Sequence, residues 1–197
     1  MLDKKVVELL NDQVNKEFYS AYLYLDFANY YKDNGLDGFA NWYNIQAQEE
    51  RDHAILFVQY LQNNNAKVTL EAIDKPDKEY TKLNDPLIYG LEHEEYVTSL
   101  IHNLYDAAYS LKDFRTMQFL DWFVKEQGEE ETNANDLITK FNLFGSDSRS
   151  LYLLIRVLSM SLPLFMLLSS IPNDIISAFL VTRSIRILSV SISAIYP

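Results

Sequence analysis

The stretch Gln48-Glu49-Glu50-Arg51-Asp52-His53-Ala54 decides how this chain is read. It lies inside a run in which Phe39, Trp42, Gln46, Glu49/Glu50, His53, Phe57 and Tyr60 recur at steps of three and four, the period of one helix face. Adjacent residues on a helix point about 100° apart, whereas i and i+3 share a face. Glu50 and His53 therefore interrupt an otherwise apolar stripe, while Arg51 projects away from it and is poorly placed to neutralise Glu50. The pattern predicts a helix ending near residue 62 with ionisable groups turned toward the core.

Upstream, Val6, Leu10, Val14, Glu17, Ala21, Leu25 and Ala28 mark a first helix over about 4–32, stopped by Asp33-Asn34-Gly35. Downstream, residues 63–83 break the period with three consecutive asparagines, a β-like Lys67-Val68-Thr69-Leu70, and Lys75-Pro76-Asp77. Asp85-Pro86 then reads as an N-cap followed by a first-turn proline. It opens a third helix over about 86–111 along Leu87, Leu91, Glu94, Thr98, Ile101, Tyr105 and Ala108. After the short break Lys112-Asp113, a fourth helix follows Phe119, Phe123, Gln127, Glu130, Ala134, Leu137 and Phe141 and ends before Gly145. A shorter fifth begins near Arg149. Short links make the first and second helices, and the third and fourth, antiparallel hairpins. The middle link, about 20 residues long, can run back along the bundle. The expected fold is all-α: a four-helix bundle with one long crossover and a short C-terminal fifth helix, residues 1–145 forming the bundle and 146–197 the fifth helix and tail.

Each of the four stripes is interrupted near its middle: by Glu17, by Glu50 with His53, by Glu94, and by Gln127 with Glu130. Glu17 to Glu50 and Glu94 to Gln127 both span 33 residues, and Glu17 to His53 and Glu94 to Glu130 both span 36, so the hairpins are quasi-repeats. Any one of these acids alone reads as a solvated side chain. Four at matched heights read as a cluster. Unpaired ionised carboxylates in a core cost several kcal/mol each, so they must be protonated, hydrated or bound to cations. A metal site accounts for all of them, with His53 as a ligand. Glu49, Glu126 and Glu129 sit one position off the inner residues and read either as a charged face or as an auxiliary cation site. Tyr24 is either a donor to a ligand carboxylate or packing. Trp42 and Trp122 pack the bundle, and His93 and His102 fall off the stripe, as surface residues.

Composition points the same way. The 197 residues carry a net charge of -11 and no cysteine, which excludes disulfide scaffolds, Cys-ligated metals and thiol catalysis. The acidity argues against nucleic acid as a partner. Residues 1–150 hold 27 acidic and 14 basic residues, a net -13, while 151–197 hold one acid and three arginines, a net +2. Met1-Leu2-Asp3-Lys4-Lys5 does not open an apolar segment, so a cytoplasmic location is expected. The longest uncharged run of the tail, 157–173, has 17 residues and two prolines, short of the about 20 apolar residues of a spanning helix.

The chain resembles the ferritins, and within them the bacterial non-haem ferritins, over about residues 1–150. The matching stretches are Glu17-Phe18-Tyr19-Ser20-Ala21-Tyr22-Leu23, Gly38-Phe39-Ala40-Asn41-Trp42, Gln48 to Ala54, His93-Glu94, Phe119-Leu120-Asp121-Trp122-Phe123, and Glu126-Gln127-Gly128-Glu129-Glu130-Glu131. Bundles with one crossover and inward Glu plus Glu-x-x-His ligands are the standard form of this group. The resemblance implies a diiron ferroxidase centre. One iron would be held by Glu17, Glu50 and His53; the second by Glu50 as bridge, Glu94 and Glu130, with Gln127 beside them. A third iron would use Glu49, Glu126, Glu129 and Glu130. It further implies Fe(II) and O2 as substrates and a 24-subunit homo-oligomeric shell holding ferric mineral. Oxygen donors with one imidazole suit Fe(II) and the Fe(III) produced; zinc also fits, and calcium fits poorly. The fourth helix has Gln127-x-x-Glu130 where bacterioferritins and rubrerythrin-like proteins carry a second Glu-x-x-His, and Asp52 stands where bacterioferritins have a haem-binding Met, so no haem is expected. The tail departs from the family: Ile155 and Val157 stand where charged residues normally follow, and about 40 further residues, mostly apolar, continue. The competing reading is a non-storage helical bundle attached to a membrane or partner through that tail.

Overall fold

The computed structural model describes residues 2–160. Most of the apolar tail, and with it the competing reading of membrane or partner attachment, lies outside the described residues. Five helices follow one another: α1 (Lys4–Asp33), α2 (Asp37–Asn63), α3 (Asp85–Ser110), α4 (Phe114–Phe144) and α5 (Ser148–Met160). The Asp3 carboxylate accepts from the Lys5 amide at 2.8 Å to start α1, and Asp113 accepts from the Thr116 amide at 3.1 Å to start α4. Gly35 takes φ +72° in the turn between α1 and α2, a left-handed conformation glycine adopts without strain. The closest packing is within the hairpins α1/α2 and α3/α4, as the short links require, and α1 also meets α3.

Two details of the expected helices change. Asp85 is the first residue of α3 and not its N-cap, which is Asn84. Its carboxylate folds back to accept from the amides of Thr81 and Lys82, both at 2.7 Å, so it closes the preceding turn. In α1 the buried face beyond Glu17 runs through Ser20, Leu23, Tyr24, Phe27 and Tyr31, while Leu25 is 43% exposed. Two successive four-residue steps rotate about 80° past two full turns, enough to carry Leu25 off the core face.

The crossover, residues 64–84, contains no strand among the described residues, so the β-like reading of Lys67 to Leu70 is corrected. Its backbone pairs with side chains of α1 instead. Asn11 Nδ2 donates to the Lys67 carbonyl at 3.1 Å, Asn11 Oδ1 accepts from the Thr69 amide at 2.6 Å, and Asn15 Nδ2 donates to the Ala72 carbonyl at 3.0 Å. An extended segment needs partners for its amides, and a helix face bearing asparagines supplies them.

The core forms two apolar clusters. One gathers Leu23, Phe27, Tyr31, Phe39, Tyr43, Leu87 and Leu137 with Leu154 and Leu158 of α5. The other gathers Val6, Leu10, Val14, Phe57, Leu61, Ile101, Leu104 and Phe123. Trp42 packs against the first and Trp122 against the second. Along every helix of the bundle, the polar interruptions fall between the two. α5 lies against the start of α2, and a Cβ on Gly38 would overlap the backbone of Ile155.

Candidate metal centre

Between the two apolar clusters Glu17, Glu50, His53, Glu94, Gln127 and Glu130 are all buried, 1–6% exposed. Glu17 comes from α1, Glu50 and His53 from α2, Glu94 from α3, Gln127 and Glu130 from α4. One ligand atom each from Glu17, Glu50 and His53 lie within 4.8 Å of one another. His53 Nδ1 stands 3.6 Å from Glu50 Oε2, and its ring meets Trp122 edge-on at 5.4 Å, which fixes the imidazole plane. On the other hairpin Gln127 Nε2 donates to Glu94 Oε2 at 3.1 Å and to the Glu94 carbonyl at 3.3 Å.

Among the described residues no Lys or Arg forms an ion pair with Glu17, Glu50, Glu94 or Glu130. Neutral donors stand in instead. Gln13 Nε2 donates to Glu17 Oε1 at 2.9 Å, Gln46 Nε2 donates to Glu130 Oε2 at 2.9 Å, and the Tyr24 hydroxyl donates to Glu94. Gln46 lies on the expected stripe of α2 without a role, and Gln13 lies off that of α1. The available signal is spacing: Gln13 precedes Glu17, and Gln46 precedes Glu50, by one helical turn. Tyr24, left between two readings by the sequence, is buried and bonded to Glu94.

Burial is the largest influence on these carboxyls. It holds Glu17, Glu50 and Glu130 well above the usual carboxylate range, reinforced for Glu17 by the charge of Glu50 and for Glu50 and Glu130 by that of Glu94. Burial also raises Glu94, against the opposing hydrogen bonds from Tyr24 and Gln127. Without a cation the cluster favours protons. With a cation the same oxygens become a concentrated anionic ligand set, which makes metal binding and proton release one event.

The auxiliary acids are less deeply placed. Glu49, Glu126 and Glu129 are half-buried, and Glu129 pairs with Lys125 at 3.2 Å. Burial raises Glu126, with Glu129 adding to the effect and His53 opposing it. His102 is exposed as expected, but His93 is not a free surface group. It is half-buried, its Nε2 is 2.8 Å from Ser20 Oγ, and its ring lies against Tyr19, Tyr24 and Tyr96. Burial, aided by Lys78 and Lys16, pushes its imidazole down to about 4. One position off the metal stripe is still within the bundle's partly buried flank.

Residues 7–144 match the family described as "Ferritin-like domain". The chain is 38% identical over 153 residues to the bacterial non-heme ferritin of Campylobacter jejuni, a match covering 78% of this chain and 92% of that protein. It is 39% identical to the bacterial non-heme ferritin of Staphylococcus saprophyticus, with the same coverage. In three dimensions it is similar to the open pore ferritin of the hyperthermophilic archaeon Archaeoglobus fulgidus, with a TM-score of 0.78 and 42% identity over 81% of this chain and 98% of that one. The bundle, the buried carboxylate layer and this similarity along most of both chains agree: the chain belongs to the ferritin family.

Proposed function

We propose that this protein stores iron by oxidising Fe(II) with O2 at an intrasubunit diiron centre and depositing the ferric product as a hydrated oxide. The observation that carries the reading is the buried group Glu17, Glu50 and His53, facing Glu94, Gln127 and Glu130, with no Lys or Arg among the described residues paired to the carboxylates. Glu17, Glu50 and His53 would hold one ferrous substrate ion; Glu50, Glu94 and Glu130 the other. Gln13, Gln46 and Tyr24 orient the carboxylates by hydrogen bonds that leave other oxygen lone pairs available. Glu49, Glu126 and Glu129 form the approach or a third position.

Each Fe(II) gives up one electron, O2 takes up four and ends as oxide and hydroxide, and two protons are released per iron as the mineral forms. Hard oxygen donors favour the ferric product over the ferrous substrate, so the ligand set itself drives the oxidation forward. A storage role requires an enclosed volume, and assembly into a 24-subunit homo-oligomeric shell is part of the proposal. It is checked by native mass of the full chain and of a chain truncated near residue 170.

Aerobic addition of Fe(II) to the metal-free protein should give a fast rise in near-ultraviolet absorbance, and Glu50→Ala should abolish the fast phase. Equal rates in the two proteins would rule the assignment out.

A further inference from the structure

Beside the metal layer lies a partly enclosed cavity of about 20 Å³, walled by Trp42, Tyr43, Gly90, Ala134 and Leu137 and reaching Glu94 and Glu130. One water needs roughly 10–15 Å³ measured this way, so a diatomic guest fits and a larger organic ligand does not. The wall is mostly apolar. Its polar lining is Asn133 with the carboxylates of Glu94 and Glu130, and three further donors already have acceptors: the Tyr24 hydroxyl on Glu94, Gln46 Nε2 on Glu130, and the Tyr43 hydroxyl on the Pro86 carbonyl at 3.2 Å. A buried water makes about two to four hydrogen bonds, and with Tyr24, Gln46 and Tyr43 engaged elsewhere the mostly apolar wall favours an apolar guest. Its room depends on one residue without a side chain, because a Cβ on Gly90 would stand 3.0 Å from the Tyr43 hydroxyl oxygen.

The position of the cavity along the bundle is defined. Relative to the ligands, its lining residues are displaced toward the N-terminus in α2 and α3 (Tyr43 and Gln46; Gly90) and toward the C-terminus in α4 (Ala134 and Leu137). In this topology all of these displacements point toward the same end of the bundle, the end where α5 docks. Glu126 and His53 are displaced the opposite way.

We propose that this cavity is the dioxygen site: O2 is held in it against the Glu94 and Glu130 side of the centre. The inference rests on the ferroxidase reading above and adds to it where the oxidant binds. The step it serves is the overall four-electron reduction already written, in which four Fe(II), two per filling of the centre, each give one electron for every O2 consumed.

Xenon, an apolar probe of similar size, tests the cavity without any iron. Crystals of the metal-free protein pressurised with xenon should show one atom between Tyr43, Gly90 and Ala134, and Ala134→Leu should exclude it. In solution Ala134→Leu, and more mildly Gly90→Ala, should raise the O2 concentration for half-maximal Fe(II) oxidation several-fold, while Co(II) titration of the centre stays as in the parent protein. Xenon absent from the cavity of a protein that oxidises Fe(II) normally would overturn this inference alone. So would an unchanged O2 dependence in a variant that binds Co(II) normally and excludes xenon. A protein that binds xenon there but does not oxidise Fe(II) would overturn the ferroxidase reading, and the oxidant role with it.

Discussion

Gln13 and Gln46 illustrate how a buried carboxylate is managed one residue at a time. Each amide donates to one oxygen of a glutamate that burial has pushed toward its protonated form. Replacing Gln46 with leucine removes the donor and leaves a buried acceptor, which costs about 1–3 kcal/mol. Calorimetry of the metal-free variant should show a midpoint lowered by roughly 2–4 °C per kcal/mol for a chain of this size; an unchanged midpoint would mean that the bond contributes nothing. The buried polar layer was legible in the sequence because an acid in an apolar stripe has no bland explanation once four helices repeat it. Its supporting donors were not, because a glutamine is as common on a surface as in a core, and a position one turn before Glu17 does not by itself bury Gln13. His93 differs from its expected surface position for a related reason: periodicity assigns a residue to a face, but not the depth at which that face is covered by Tyr19, Tyr24 and Tyr96.

At the level of elements, hairpins and crossover followed from stripes, breaks and proline positions, whereas the path of the crossover did not. Residues 67–70 have the composition of a strand, but Asn11 and Asn15 of α1 satisfy them. Such long-range side-chain pairing leaves no local periodic signature. The docking of α5 was equally invisible, since it turns on the absence of a Cβ at Gly38 against the backbone of Ile155. Gly38→Ala should loosen α5 and speed tryptic cleavage after Arg149, while the fast phase of Fe(II) oxidation persists. Gly128 offers the contrast: an added Cβ there meets nothing within 4 Å, and the position is exposed and helical. Gly128→Ala should therefore stabilise the protein by about 0.5–1 kcal/mol, read as a higher thermal midpoint.

For the molecule as a whole, the buried acids make stability depend on pH in an unusual direction. Glu17, Glu50, Glu94 and Glu130 have folded-state pKa values above those of the unfolded chain, so the native metal-free protein binds more protons than the unfolded one. Their contribution is fully present below the unfolded value of about 4.3 and is lost as pH rises through the raised folded values. The thermal midpoint of the metal-free protein should fall between weakly acidic and weakly alkaline pH, Glu130→Gln should flatten the slope, and Zn(II) should reverse it by favouring the ionised carboxylates; a slope identical in Glu130→Gln would refute the assignment. The repeated spacing of the hairpins has a further consequence at this scale. Advancing the numbering by 77 carries Glu17 onto Glu94, Glu50 onto Gln127 and His53 onto Glu130, a near-twofold pseudosymmetry through the centre. The same operation carries Gln13 onto Gly90 and Phe57 onto Ala134. Where one half holds an amide bonded to Glu17 and a ring stacked on Phe123 at 4.2 Å, the other holds almost no side chain. The two halves thus differ in bulk as well as in side-chain chemistry, one imidazole against one carboxylate, and the molecule has a polarity along its axis that neither hairpin has alone.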